Sequence, residues 1–275
     1  MKKDDWNRFN SRTLLLTWTI APSNWISKFN YKNSLDPKKR LKEYENSIKY
    51  YIEDSLFEKI VFCENSNYSC ENRKTEMYKF AKDNNKKLEI LQFQWNVEKT
   101  LELSYSYWEG ECIDYAYENS DLLKGSLNRW KITWRYIIKN INDLIKTSDR
   151  YENLLFRWLR PLWFFAIDTS IFKVSNNTYK KYLYDAKNDI TRENNKCIEN
   201  IFYDRIRNKN ISCWKLKVLP KKDWYWDAWH TEKWYHHVLL FFWLWNWWSF
   251  VDKILDMLFY ERYTNNLKKI NINKA

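Results

Sequence analysis

Six short polar segments interrupt an otherwise apolar and lysine-rich chain of 275 residues, and each carries residue types that do chemistry. Thr17-Trp18-Thr19 closes a run of leucines. With glycine at position 18 it would read LTGTI, a strand end where backbone comes close to a ligand; a plain bulge explains the same pattern. Glu64-Asn65-Ser66 closes the next apolar run and offers Asn65 as a polar contact. Tyr107-Trp108-Glu109-Gly110-Glu111 reads as a helix start, where small residues let N–H groups face an anion. Glu109 and Glu111 equally suit the positive end of a helix dipole, or the hydroxyls of a sugar. Lys131-Ile132-Thr133-Trp134-Arg135 places a point charge and a planar fork on either side of a turn, as a diphosphate requires, unless both are surface charge beside a strand. Ile167-Asp168-Thr169-Ser170 puts a carboxylate at the end of a buried strand, which is costly unless the group is paired or used. Asp168 suits a Mg²⁺ or Mn²⁺ ion on a nucleotide diphosphate, a general base, or the cap of the following turn. Glu199, between Ile198 and Ile201 on a helix with Tyr203 one turn on, is the second carboxylate that could serve as base, although a helix-face glutamate also suits solvent. His230, His236 and His237 have no metal-ligand spacing.

These segments must be positioned by strands and helices, and the hydrophobic pattern supplies both. Residues 13–20 (TLLLTWTI), 59–63 (KIVFC), 88–93 and 163–167 (WFFAI) read as buried strands, with a short strand at 131–133 and a late one at 211–219. Asp36-Pro37 is an N-cap followed by proline at the first helical position, and Leu41, Tyr44, Ile48, Tyr51 and Ile52 continue at helical spacing. Further helices are expected over 71–84, 109–123, 141–146, 178–187, 193–207 and 231–269. Strands alternating with helices imply an α/β fold, a single domain with a mostly parallel sheet flanked by helices. The polar segments then fall at the carboxyl ends of strands, where such sheets bind ligands. The organisation expected is a polar tail over 1–12, the α/β domain over 13–220, and a loop and helical extension over 221–275.

Composition narrows the classes. Hydrophobic residues make up 45% and charged residues 30%, as in a soluble globular protein. The chain has 18 Trp and only 2 Gly. Together they come close to the roughly 19 glycines that average usage of about 7% predicts. Asn24-Trp25, Asp223-Trp224 and Asn246-Trp247 become the strongest turn dipeptides when Trp is replaced by Gly. This is the pattern expected if UGA codons that the source genome reads as glycine have been translated as tryptophan; UGG codons at these positions would end that reading. Trp130, Trp158 and Trp163 sit in apolar company and suit genuine tryptophan. The net charge of +12 comes mainly from scattered lysines, without the Arg-rich stripe or RNA-binding motif of a nucleic-acid partner, so none is expected. Five cysteines without a CxxC pair suggest neither a disulfide framework nor a zinc site, and fit a reducing cytoplasm. The first twelve residues lack the pattern of a signal peptide. The longest apolar run, 238–250, is shorter than the roughly 20 residues of a membrane span and suits a buried helix or a peripheral contact with the inner face of the membrane.

Taken in order, LLLTWTI at 14–20, DPKKRLKEY at 36–44, IVFCENSNY at 60–68, YWEGECIDYAYENS at 107–120, KITWRY at 131–136 and AIDTSIFKV at 166–174 resemble a family of glycosyltransferases encoded in lipopolysaccharide and capsule loci. The resemblance implies a GT-A-like domain, a nucleotide-sugar donor and a glycan or lipid-linked glycan acceptor. It implies that Lys131, Arg135 and Asp168 line the donor site; the polar segments add Thr17, Trp18, Thr19, Asn65, Glu109, Gly110, Glu111, Thr133 and Thr169 as further donor-binding candidates. Trp18, Trp108 and Trp134 stand where the family pattern has glycine. Asp168 stands alone, without the paired aspartates of metal-dependent members. Two other readings are a carbohydrate-binding protein that stacks exposed indoles on sugar rings, and a basic nucleic-acid binder.

Overall fold

In the computed structural model the residues described are 12–21, 36–69, 71–103, 105–133, 136–148, 151–153, 157–160, 164–194, 196–207, 209 and 222–223. All of them lie within Met1–Tyr225. The late strand at 211–219, the helix at 231–269, the apolar run at 238–250, Trp134, Arg135 and the three histidines lie outside the described residues.

Strand β1 (Thr13–Trp18) is buried along its whole length, as a central strand covered on both faces must be. It pairs in parallel with β2 (Lys59–Glu64), Leu14 beside Ile60, and on its other side with β4 (Asn128–Thr133), Leu14 beside Trp130. β3 (Lys87–Gln92) extends the parallel set from β2. β8 (Ile171–Ser175) closes the far edge antiparallel to β4, giving the order β3-β2-β1-β4-β8. The fold is therefore α/β with a mostly parallel five-stranded sheet, as the alternating pattern predicts.

The two-residue period of a strand sorts the core into two layers. Leu14, Leu16 and Trp18 join Ile60, Phe62, Trp130 and Ile132 on one face. Helix α1 (Pro37–Asp54) covers that face with Tyr44, Ile48, Tyr51 and Ile52. Its start is the predicted one: the Asp36 carboxylate accepts the Lys38 N–H at 2.9 Å and Pro37 occupies the first turn, where no N–H is needed. α2 (Glu71–Asp83) adds Met77 and Ala81, and α6 (Ile141–Ser148) adds Ile141, Leu144 and Ile145. Leu15, Val61, Cys63, Phe172 and Val174 point the other way, against α4 (Tyr105–Asn119) and α7 (Ile198–Ile206). Each apolar side chain so buried contributes on the order of 1.5–3 kcal/mol.

The remaining elements are α3 (Val97–Glu102), α5 (Asp121–Lys124) and two small antiparallel ribbons, β5 (Ile137–Ile138) with β9 (Lys222–Asp223) and β6 (Arg157–Arg160) with β7 (Phe164–Ile167). No helix among the described residues is long and apolar enough to cross a membrane.

Several boundaries differ from expectation for identifiable reasons. Of the apolar run at 163–167, Phe164–Ile167 forms strand β7, but among the described residues it pairs with β6 and not with the five-stranded sheet; apolarity does not name a partner. The helix expected over 109–123 starts at Tyr105 and breaks at Ser120. There the Ser120 hydroxyl accepts the Leu123 N–H at 3.0 Å, and the Glu89 carboxylate accepts those of Asp121 and Leu122 at 3.0 and 3.1 Å. The helix expected over 178–187 is instead one α-turn, Asn176–Thr178, a π-turn, Tyr179–Leu183, and a 3₁₀ turn, Ala186–Asp189. Asp185 between them has a φ of 59°. That left-handed backbone ends any continuous helix.

Candidate functional site

Chain order dictates where a ligand fits. From β1 the chain moves outward to β2 and β3, then returns to the opposite side of β1 as β4. The carboxyl ends of β1 and β4 therefore flank the reversal of strand order, the crevice where open α/β sheets bind ligands. Thr17 and Thr133 lie side by side there, and Trp18 lies beside Glu64.

Alternate residues of β4, namely Arg129, Lys131 and Thr133, project toward α4. Lys131 is fully buried, an uncommon state for lysine unless it is paired. Its ammonium has three N–H bonds and meets three acceptors: Glu109 Oε1, Thr133 Oγ1, and the carbonyl of Thr169 at 2.6 Å. The Thr133 hydroxyl also lies 2.8 Å from Glu109 Oε1 and 3.0 Å from the Thr169 carbonyl. Thr169 Oγ1 donates to Glu199 Oε1 at 3.3 Å. Glu109, Lys131, Thr133, Thr169 and Glu199 thus converge from α4, β4, the β7–β8 turn and α7, although the chain separates them by up to 90 residues. The Glu109 side chain keeps 16% of its surface exposed while that of Lys131 has none, so the pair reaches solvent through Glu109 and not through Lys131.

The facing loops are organised by a second buried carboxylate. Glu64 Oε1 accepts the N–H of Ile20 at 3.1 Å and of Ser66 at 2.8 Å, and Oε2 accepts that of Tyr68 at 3.0 Å. Burial pushes its pKa above the usual glutamate value, while these donors pull it back. The Thr19 hydroxyl donates to Asn65 Oδ1 at 2.7 Å. The Thr19 carbonyl accepts from Arg40 Nε at 2.8 Å and the Tyr44 hydroxyl at 2.7 Å. Glu64 and Arg40 stand outside the residues singled out as ligand contacts from sequence. Arg40 had a signal: Lys38, Lys39 and Arg40 place three positive charges at a helix start, against the dipole.

Gly110 and Glu111 are differently employed, and Asp168 takes one of the roles expected of it. Gly110 lies in the second turn of α4, not at its N-terminus, so its N–H belongs to the helix and does not face an anion. A Cβ on it would come 2.9 Å from Lys187 Cβ and 3.2 Å from Ile198 Cδ1, so glycine here permits close packing. Glu111 Oε2 accepts the Asn96 N–H at 2.9 Å and joins α4 to the start of α3; burial raises its pKa. Asp168 Oδ1 accepts from the Ser170 N–H at 2.8 Å and the Ser170 hydroxyl, which is the turn-capping role. Trp18 packs against Tyr44 and Phe62, ring centroids 4.1 and 3.8 Å apart, and its indole Nε1 is buried without a partner. Left-handed backbone among the described residues falls at Asn67, Asn85 and Asp185, and at no tryptophan.

Behind the crevice, Arg129 is fully buried between the rings of Tyr117 and Tyr179, 4.7 and 4.3 Å from their centroids. It donates to Asn176 Oδ1 at 2.7 Å, and burial pushes its pKa down to about 10. Asp114 accepts the Tyr179 hydroxyl at 2.6 Å and pairs with Lys187. This network ties α4, β4 and the π-turn together, with Arg129 Nε and Nη2 buried beside the two tyrosine rings without a hydrogen-bond partner.

No cluster of three or more His, Cys, Asp or Glu side chains that could hold a metal ion occurs among the described residues. No family model matches the chain, and no curated protein matches it.

Proposed function

We propose that this chain is a nucleotide-sugar-dependent glycosyltransferase of GT-A-like architecture, acting in bacterial surface polysaccharide synthesis at the cytoplasmic side of the membrane. The observation that carries the reading is the convergence of Glu109, Lys131, Thr133, Thr169 and Glu199 at the reversal of strand order between β1 and β4. The sequence resemblance supplies the substrate class. The geometry supports it by gathering hydroxyls and carboxylates at the carboxyl ends of the strands, as a sugar ligand needs.

In this reading the donor lies across the ends of β1 and β4. Thr17, Thr19 and Asn65 border it on the β1–β2 side. Arg135, two residues beyond β4, neutralises charge on the departing diphosphate. Glu199 and Asp168 are the carboxylates for the acceptor hydroxyl, which comes from a glycan or lipid-linked glycan. The divalent cation that the GT-A likeness implies does not fit the described donor set. Asp168 Oδ1 is engaged by Ser170 and Glu109 Oε1 by Lys131, and no three His, Cys, Asp or Glu side chains among the described residues cluster as metal ligands.

Among the described residues Trp18, Trp95, Trp108 and Trp130 are at most 8% exposed, so none of these four presents a ring face for stacking on a sugar. The test is a thermal-shift panel of UDP-, GDP- and CMP-linked sugars, with release of the nucleotide followed in parallel. One nucleotide class should raise the melting temperature saturably, with about 2.7 kcal/mol of stabilisation at a hundredfold excess over Kd. Indifference to all three classes would remove the transferase reading.

A further inference from the structure

The expectation that Lys131 meets the donor diphosphate does not survive its burial: all three of its N–H bonds are spent on protein oxygens. Its partner Glu109 keeps unspent capacity. Its Oε1 receives both Lys131 and Thr133, whereas its Oε2 has no protein hydrogen-bond partner among the described residues and is not sealed from solvent. Fixing one oxygen of a carboxylate from behind fixes the direction in which the other presents its lone pairs. An anion is repelled by such a group; a neutral hydroxyl donates to it.

We infer that Glu109 Oε2 receives a hydroxyl of the bound ligand, and that Lys131 is a positioning residue that aims Glu109 rather than a phosphate contact. The inference rests on the transferase reading and deepens it: the point of contact between β4 and α4 reads a sugar hydroxyl, on the ribose or on the transferred sugar, and the diphosphate lies elsewhere in the crevice. The backbone supports the assignment. Gly110 lets α4 sit close to Lys187 and α7 one residue beyond Glu109. The Arg129–Asp114–Tyr179 network holds the next turn of the same helix.

The experiment is isothermal titration with three probes: the tightest nucleotide-sugar among UDP-glucose, GDP-mannose and CMP-N-acetylneuraminate, its free nucleotide, and the 2′,3′-dideoxy form of that nucleotide. A hydroxyl donating to a carboxylate predicts that Glu109→Gln weakens binding roughly 10- to 100-fold. Loss for the nucleotide-sugar and the free nucleotide, with the dideoxy form unaffected, places the hydroxyl on the ribose. Loss for the nucleotide-sugar alone places it on the transferred sugar. Both support the inference. Lys131→Met, with Glu109 intact, should lose the same hydroxyl discrimination, which a purely structural lysine would leave unchanged. Should either single variant fail to fold, the double variant E109Q/K131M, which buries no lone charge, serves in its place. Binding of all three probes within twofold of wild type by E109Q or the double variant overturns the inference and leaves the transferase reading in place. A wild-type protein that binds none of the probes takes both down.

Discussion

Replacing Lys131 by methionine tests whether the polar knot between β4, α4 and the β7–β8 turn holds the crevice together. Methionine keeps the length of the stem and removes the three donors. The Thr133 hydroxyl has one hydrogen to share between Glu109 Oε1 at 2.8 Å and the Thr169 carbonyl at 3.0 Å. One acceptor is therefore orphaned, at a cost of about 1–3 kcal/mol, and a largely buried carboxylate loses its counter-charge. Removing one partner of a buried pair costs about 3–5 kcal/mol in total, and the exposed 16% of Glu109 favours the lower end. Glu109→Gln should cost about 2–4 kcal/mol, because the amide oxygen still accepts while the ammonium is left buried without an opposite charge. The double variant should cost less than the sum by about 2–3 kcal/mol, since neither lone charge remains. Urea denaturation followed by tryptophan fluorescence measures all three corners. Costs that add to within about 0.5 kcal/mol would refute the reasoning, since residues that act as a unit do not behave additively.

The two glycines should respond unequally to alanine. At Gly110 the new methyl meets Lys187 and Ile198, and overpacking of about 1–3 kcal/mol outweighs roughly 1 kcal/mol of helix propensity; at Gly125 the new methyl meets the Asp121 carbonyl at 3.3 Å, a tight contact that offsets the entropic gain, so alanine should lie within about 1 kcal/mol of glycine. Thermal melts of the pair decide, and stabilisation by Gly110→Ala would contradict the packing. Glu64→Gln turns an acceptor into a donor facing N–H groups and should cost about 2–3 kcal/mol at neutral pH. Because burial raises the Glu64 pKa, its contribution is full below the ordinary glutamate value and is lost as pH rises through the raised one. The stability–pH curve of Glu64→Gln should lack that step. Asp168→Asn keeps an oxygen for Ser170 and so keeps its melting temperature, while transfer falls by most of its rate; wild-type turnover would remove Asp168 from the reaction.

Much of the scaffold was legible before any coordinate, because its signals are local. The run of leucines in β1, the Asp36-Pro37 start of α1 and the alternation through β3 each depend on residues within one element, and a period of 2.0 or 3.6 is a property of neighbours. The location of the candidate site followed from the same logic: polar residues after buried strands fall at the strand ends. Less local features were misread. Strand β7 has the composition of a sheet strand and pairs outside the five-stranded sheet, while β8, which does complete that sheet, announces itself less strongly. The π-turn at Tyr179 answers to Asp114 and Arg129, far away in the chain.

Residue identity alone thus determined an α/β chain with carboxylates, threonines and a lysine waiting at the ends of its strands. Only the tertiary structure decided what each does. Lys131 spends its charge on Glu109, Asp168 caps a turn, Gly110 admits a neighbouring backbone, and Glu64 fastens two loops. The reason is physical: a side chain's chemistry is inherited from its type, but its free valences are what remain after burial and hydrogen bonding have taken their share, and those partners come from segments that sequence distance does not reveal.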